Sequence, residues 1–143
     1  MLEVDYIVGR KEQEMTGSFR YATAIMSRSE GVVDGRVIAY DAEEYPAFAG
    51  RIPALTHYPF KVARSKRPAS IKHLCSHIQA HLLHYLDLRP CVVTCLDIYP
   101  FRRKGYPIVD RCVVEAGLRG MLKAERVIAI SEFTKREIVG ALR

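Results

Sequence analysis

With 143 residues, 49% of them apolar and 27% charged, the chain has the size and composition of one globular domain. It is long enough to bury a core without metal or disulfide staples, and no apolar run approaches the ~20 residues that cross a bilayer. A formal charge of +6 favours anionic partners: phosphorylated substrates, an acidic membrane surface, or nucleic acid. The opening residues Met1, Leu2, Glu3, Val4 and Asp5 carry acids where a signal peptide carries positive charge, so a cytoplasmic location is expected. Cys75, Cys91, Cys95 and Cys112 form neither a CxxC pair nor a zinc-type spacing and read as reduced, packed thiols.

In chain order, residues 4–8 read as a short strand, followed by a polar loop over 9–16. Gly17 and Ser18 open a helix over 19–28, with Ala22, Ile25 and Met26 at helical spacing, Ser18 as its cap and Gly31 as its stop. Asp34 and Gly35 read as a turn before a strand over 37–40. Residues 41–70 carry Pro46, Pro53, Pro59 and Pro68 and keep no period, so they are either a connection holding a short element or a surface insertion. Arg51, Lys61, Arg64, Lys66 and Arg67 make their second half basic. Order returns with a strand over 71–74 and a helix over 76–86, with Ile78, Leu82 and Leu86 as its apolar stripe. Arg89 and Pro90 end that segment. Residues 91–96 are nearly all apolar, as in a strand covered on both faces. Pro100 and Pro107 bracket a loop before a helix over 108–122. A second buried strand is expected over 127–130 and a final helix over 131–142.

This alternation predicts an α/β domain: Rossmann-like, with a mostly parallel sheet and helices on both faces, spanning 1–143 as one unit. Ligands of such sheets bind in the crevice at the carboxyl ends of the strands. Polar groups that end an apolar run there are the first candidates: Gly17 and Ser18, His73, Asp97, and Ser131 with Glu132. Each has a plainer reading. Ser18 and Ser131 suit helix caps, Thr134 with Glu137 fits a capping box, and Asp97 suits the turn before Pro100. His77, His81 and His84 would share a helix face, but no carboxylate precedes Asp87 to complete a metal site, and no metal is expected.

The motifs taken together resemble a known family. Residues 92–100, Val-Val-Thr-Cys-Leu-Asp-Ile-Tyr-Pro, and residues 123–137, Lys-Ala-Glu-Arg-Val-Ile-Ala-Ile-Ser-Glu-Phe-Thr-Lys-Arg-Glu, are similar to segments in the N-terminal domain of glycosyltransferase family 4. Gly17, Ser18, Phe19, Arg20 and Tyr21 resemble that family's glycine loop and first helix more loosely, and Ile71, Lys72 and His73 its strand ending in histidine. Residues 41–68 match little.

The resemblance implies a GT-B fold, two Rossmann-like domains facing a cleft, of which this chain is the acceptor-side half. It implies hexosyl transfer from a sugar nucleotide to an acceptor hydroxyl in carbohydrate biosynthesis, without a metal or other cofactor. The donor would be held mainly by a C-terminal half or partner chain lying beyond residue 143. Asp97 and His73 are the implied catalytic residues, and Gly17, Ser18, Arg20, Tyr21, Ser131 and Glu132 the implied substrate contacts. The family's usual His-Asp after the central strand is Leu96-Asp97 here. A non-catalytic sugar-phosphate-binding or assembly module is the alternative. Lys61, Arg64, Lys66 and Arg67 are expected to reach anionic lipid headgroups on the inner membrane surface. Without a helix-turn-helix or RNP-type motif, nucleic acid is not an expected partner.

Overall fold

The computed structural model describes residues 1–10, 17–40, 56–98 and 108–142. The sequence readings for the loop after residue 10, for 41–55 with Pro46, Arg51 and Pro53, and for the loop from Pro100 to Pro107 lie outside them. The fold is a Rossmann-like α/β arrangement around an all-parallel sheet of five strands. The strands are β1 (Leu2–Arg10), β2 (Val33–Tyr40), β3 (Ile71–Leu74), β4 (Cys91–Cys95) and β5 (Arg126–Ala129), in the order β2-β1-β3-β4-β5. Among the described residues no helix is long and apolar enough to cross a membrane.

The two faces are covered unequally. Val4, Tyr6 and Val8 of β1 point to one face, where helix α1 (Gly17–Arg28) packs through Ala22, Phe19, Tyr21, Ile25 and Met26. Ile7, Leu74, Cys91, Val93 and Cys95 point to the other. Among the described residues, five helical elements bury side chains against that second face. They are α2 (His57–Ser65), the 3-10 helix His77–His84, α3 (Ile108–Gly120), the short 3-10 helix Met121–Lys123 and α4 (Glu132–Ala141). The asymmetry follows from right-handed crossovers: the connection from β1 to β2 runs one way along the sheet, and every later connection runs the other.

Several elements depart from the sequence reading. Asp34 and Gly35 are not a turn but lie inside β2, opposite Glu3 and Val4. The turn comes earlier, at Gly31, whose φ of 85° suits a residue without a Cβ. Gly35 serves packing instead: a Cβ there would lie 3.0 Å from Cε2 of Tyr6. Within 41–70 the structure has α2, which carries Pro59 in its first turn, where a missing N–H leaves no intrahelical bond unmade.

The helix expected over 76–86 is a 3-10 helix, and its tighter winding changes which side chains are inside. His77, Ala80 and Leu83 fall at the three-residue spacing and are buried, whereas Ile78 and Leu86 are only half-buried. The helix α3 lies almost against this segment. A Cβ on Gly120 would come within 2.0 Å of the Ala80 carbonyl oxygen, and one on Gly117 within 2.5 Å of that of His77. Only residues without side chains allow this approach. The last strand also differs: β5 is not buried, for Arg126, Val127 and Ile128 are exposed at the sheet margin. Its helix α4 is capped by Ser131, whose hydroxyl accepts the Thr134 N–H at 3.0 Å, so the cap lies three residues before Thr134.

Candidate functional site

The sheet order reverses between β1 and β3, where connections leave in opposite directions, and that reversal marks the crevice in sheets of this kind. The backbone register puts Tyr6 beside His73 and His73 beside Val92, so Thr94, two residues along β4, faces the same side. This is the face of α1, and the polar side chains meet there.

Thr94 is fully buried and joins two neighbours. Its hydroxyl lies 2.8 Å from Nε2 of His73 and 2.9 Å from the Tyr21 hydroxyl. The His73 ring also lies edge-on to Tyr21, with centroids 5.9 Å apart, and tilted against Tyr6 at 5.5 Å. Gly35 leaves the room that the Tyr6 ring occupies, so a glycine in β2 supports a histidine two strands away. A threonine hydroxyl has one proton, which goes to either His73 or Tyr21. If it goes to Nε2 of His73, the histidine carries its proton on Nδ1 and Tyr21 donates to Thr94.

Burial holds His73 neutral by pushing its pKa down to about 4. A base that weak is a poor proton acceptor near neutral pH, so His73 is suited to hydrogen bonding rather than to general-base work. Burial likewise raises the Tyr21 pKa, although the bond to Thr94 opposes it, and the phenol keeps its proton.

The other expected residues distribute unevenly. Gly17 is exposed at the start of α1, and a Cβ there would lie 3.5 Å from Cδ1 of Leu96. Leu96 therefore lies beside Gly17 at the start of α1. Ser131 caps α4, and Thr134 ties that cap to β4 by donating to the Leu96 carbonyl at 3.4 Å. Gly17, Tyr21, His73, Leu96 and the Ser131 cap are thus gathered at the carboxyl end of the sheet. Ser18 is half-buried in the first turn of α1 rather than preceding it. Arg20 and Glu132 are exposed, Glu132 beside Lys135 at 3.5 Å. Asp97 is exposed past the end of β4; the polar contact of His73 runs to Thr94 and not to it.

One residue of the site was not singled out in the sequence. Thr94 is the hub, and its signal was present: a lone hydroxyl within the apolar run 91–96. His77, read in the sequence as one of a histidine stripe, is 3% exposed, neither ring nitrogen has a hydrogen-bond partner, and burial lowers its pKa against the opposing charge of Asp97. His77 and His81, expected to share one helix face, are both buried, and no group of three or more His, Cys, Asp or Glu side chains among the described residues is arranged to hold a metal ion.

The basic stretch is partly committed to the chain itself. Arg67 binds Asp5 through its backbone N–H at 2.7 Å and Nε at 3.0 Å, and Asp34 through Nη1 at 2.5 Å. Lys66 donates to the Asp87 carbonyl. No known protein family, no curated protein and no solved structure matches this chain.

Proposed function

We propose that this chain is the acceptor-side half of a GT-B glycosyltransferase, acting in hexosyl transfer from a sugar nucleotide to an acceptor hydroxyl once a donor-binding half is supplied. One observation carries the reading. The residues bearing the family resemblance, far apart in sequence, fall at one edge of a parallel sheet: Gly17 and Tyr21 on α1, His73 on β3, Asp97 after β4 and Ser131 before α4. In this reading the neutral His73 and the Asp97 carboxylate orient hydroxyls of the acceptor or sugar. The amino end of α1 lies near the phosphates, where its backbone N–H groups favour negative charge. Alone the chain does little chemistry, because transfer needs both reactants held in one water-excluding cleft. A peripheral contact of Lys61, Arg64, Lys66 and Arg67 with anionic headgroups is part of the same reading, although Arg67 and Lys66 also bind within the chain.

The test is isothermal titration of the chain, and of a chain extended by a donor-binding half, with sugar nucleotides and polyprenyl-phosphate analogues. Sugar-nucleotide binding by the extended chain alone supports the reading. Asp97→Asn in that chain should then lower kcat more than it raises KM. If neither chain binds, the transferase reading fails.

A second reading has its own support. Leu96 fills space beside Gly17, and His73 is 7% exposed and already hydrogen-bonded. Both suit a domain kept for sugar-phosphate binding or assembly without catalysis. Binding of a sugar phosphate by the chain alone, unaffected by Asp97→Asn, would favour it.

A further inference from the structure

No Asp or Glu stands between Glu44 and Asp87, whereas Arg51, Lys61, Arg64, Lys66, Arg67 and Lys72 all do. The helix α2 lies within that acid-free stretch. Its inner side, Tyr58, Pro59 and Val62, is buried. Its outer side carries Phe60, which is 70% exposed, and Arg64 one helical turn further on, with Lys61 half-buried beside them. Phe60 is the large apolar side chain that α2 leaves in water. The direction of the helix is fixed at both ends. The Tyr58 hydroxyl donates to the Val8 carbonyl near the carboxyl end of β1, and Lys66 donates to the Asp87 carbonyl ahead of β4. The first turn of α2, with Phe60, therefore stands at the end of the sheet where His73, Thr94 and Tyr21 meet. A cleft of about 450 Å³ flanks the helix, with Phe19 and Val37 as apolar walls beside the cations Arg36 and Lys61.

We infer that α2 docks this domain on an anionic bilayer, with Phe60 entering the headgroup region and Lys61, Arg64 and Lys66 meeting lipid phosphates. The mixture of side chains selects this occupant. A protein interface is apolar and poor in charge at its core, and one phenyl ring among cations does not supply such a core. Duplex nucleic acid offers phosphates to the cations but no apolar phase to the ring. The margin of a bilayer takes both together, since aromatic rings lodge at headgroup level and basic side chains are drawn to the anionic surface. The cleft, apolar beside its cations, likewise fits an anionic amphiphile. A nine-residue helix with one apolar anchor binds weakly and reversibly, so the anionic lipid is required. Docked in this way, the domain turns its crevice toward the lipid, where an acceptor carried on a lipid headgroup is presented. The inference rests on the membrane part of the reading above and not on the transfer of a sugar.

The chain has no tryptophan, so Phe60→Trp makes α2 its own reporter. On vesicles containing phosphatidylglycerol its emission should shift to the blue and be quenched by brominated acyl chains. Leu122→Trp, exposed beside β5 at the opposite margin of the sheet, should show neither change. Vesicles of pure phosphatidylcholine should leave both variants unaltered. In sedimentation with the anionic vesicles, Phe60→Ala should weaken binding about tenfold, and Lys61→Gln and Arg64→Gln about fivefold each. These side chains lie on the outer side of α2, so the far-ultraviolet spectrum should not change. No binding to the anionic vesicles, or equal binding to the neutral ones, overturns the proposal. So does binding that leaves the Phe60→Trp emission unshifted, which would mark general attraction of a basic protein. If sugar-nucleotide titration fails while these vesicle results hold, the transferase reading falls and the docking of α2 stands.

Discussion

Asp5 and Lys72 are neighbours across β1 and β3, and one residue further along the same pair of strands stand Tyr6 and His73. The first pair faces the helix-covered side near the amino ends of the strands, and the second faces α1 nearer the carboxyl ends. Each pair anchors a polar cluster, and the two differ in kind. Asp5 is fully buried and charged, and receives the Arg67 backbone N–H and guanidinium, the Ser70 hydroxyl at 2.8 Å and the charge of Arg36. Burial alone would raise its pKa, but these donors outweigh it and hold the carboxyl below its ordinary value. Lys72 is buried too, and donates to the Pro68 and Ser70 carbonyls at 3.0 and 2.7 Å. The second cluster, His73 with Thr94 and Tyr21, is neutral throughout. Charges with every partner supplied by the chain belong to architecture. Neutral donors and acceptors, which exchange partners at less expense, suit the edge where a ligand arrives.

The largest effect should come from the charged cluster. Asp5→Ala leaves buried donors without their acceptor and should lower unfolding free energy by about 3–5 kcal/mol, read by denaturant titration. A loss below about 1 kcal/mol would remove the architectural role given to this end.

Acid should separate the two clusters next. His73 titrates near 6.5 when unfolded and at about 4 when folded, so its contribution is complete above 6.5 and is lost as pH falls toward 4. The loss is on the order of 3 kcal/mol at most, and burial of His77 and His81 adds to it in the same direction. The contribution of Asp5, whose folded pKa is depressed, is present above its unfolded value of 3.8 and disappears only below it. Stability measured against pH should therefore fall in two stages, and His73→Gln should reduce the first, leaving the share of His77 and His81, without changing the second. A single stage below 4 would contradict the burial of His73.

Thr94→Val removes the hydroxyl while keeping the shape. It should cost about 1–3 kcal/mol in thermal unfolding, since His73 and Tyr21 each lose their shared partner. At the small end, Arg119→Gln breaks an exposed ion pair with Glu115 one helical turn away and should change stability by less than about 0.5 kcal/mol.

What the sequence made readable follows what is local. The strands β3 and β4 were found almost to the residue, because a run such as 91–96 has few alternatives once Pro90 precedes it. The site was half readable: His73 and Ser131 were identified as ends of apolar runs, whereas Thr94 passed as part of a strand. α2 was left open, as a short element of unassigned type and place within 41–70, because four prolines obscure any period there, although Pro59 stands where a helix accepts one. Asp34 and Gly35 imitate a turn because nothing in their own neighbourhood reveals the Tyr6 ring.

The amino-acid order by itself determined the alternation of strands and helices, and hence a parallel sheet with its polar residues at the strand ends. Hydrophobic period and cap chemistry act over a few residues, so they can be read without the fold. Only the tertiary structure decided three further matters. It set the 3-10 winding beneath Gly117 and Gly120, the meeting of His73, Thr94 and Tyr21, and the exposure of β5. Each depends on which distant segment lies opposite, and an apolar strand carries the same residues whether its neighbour is present or not.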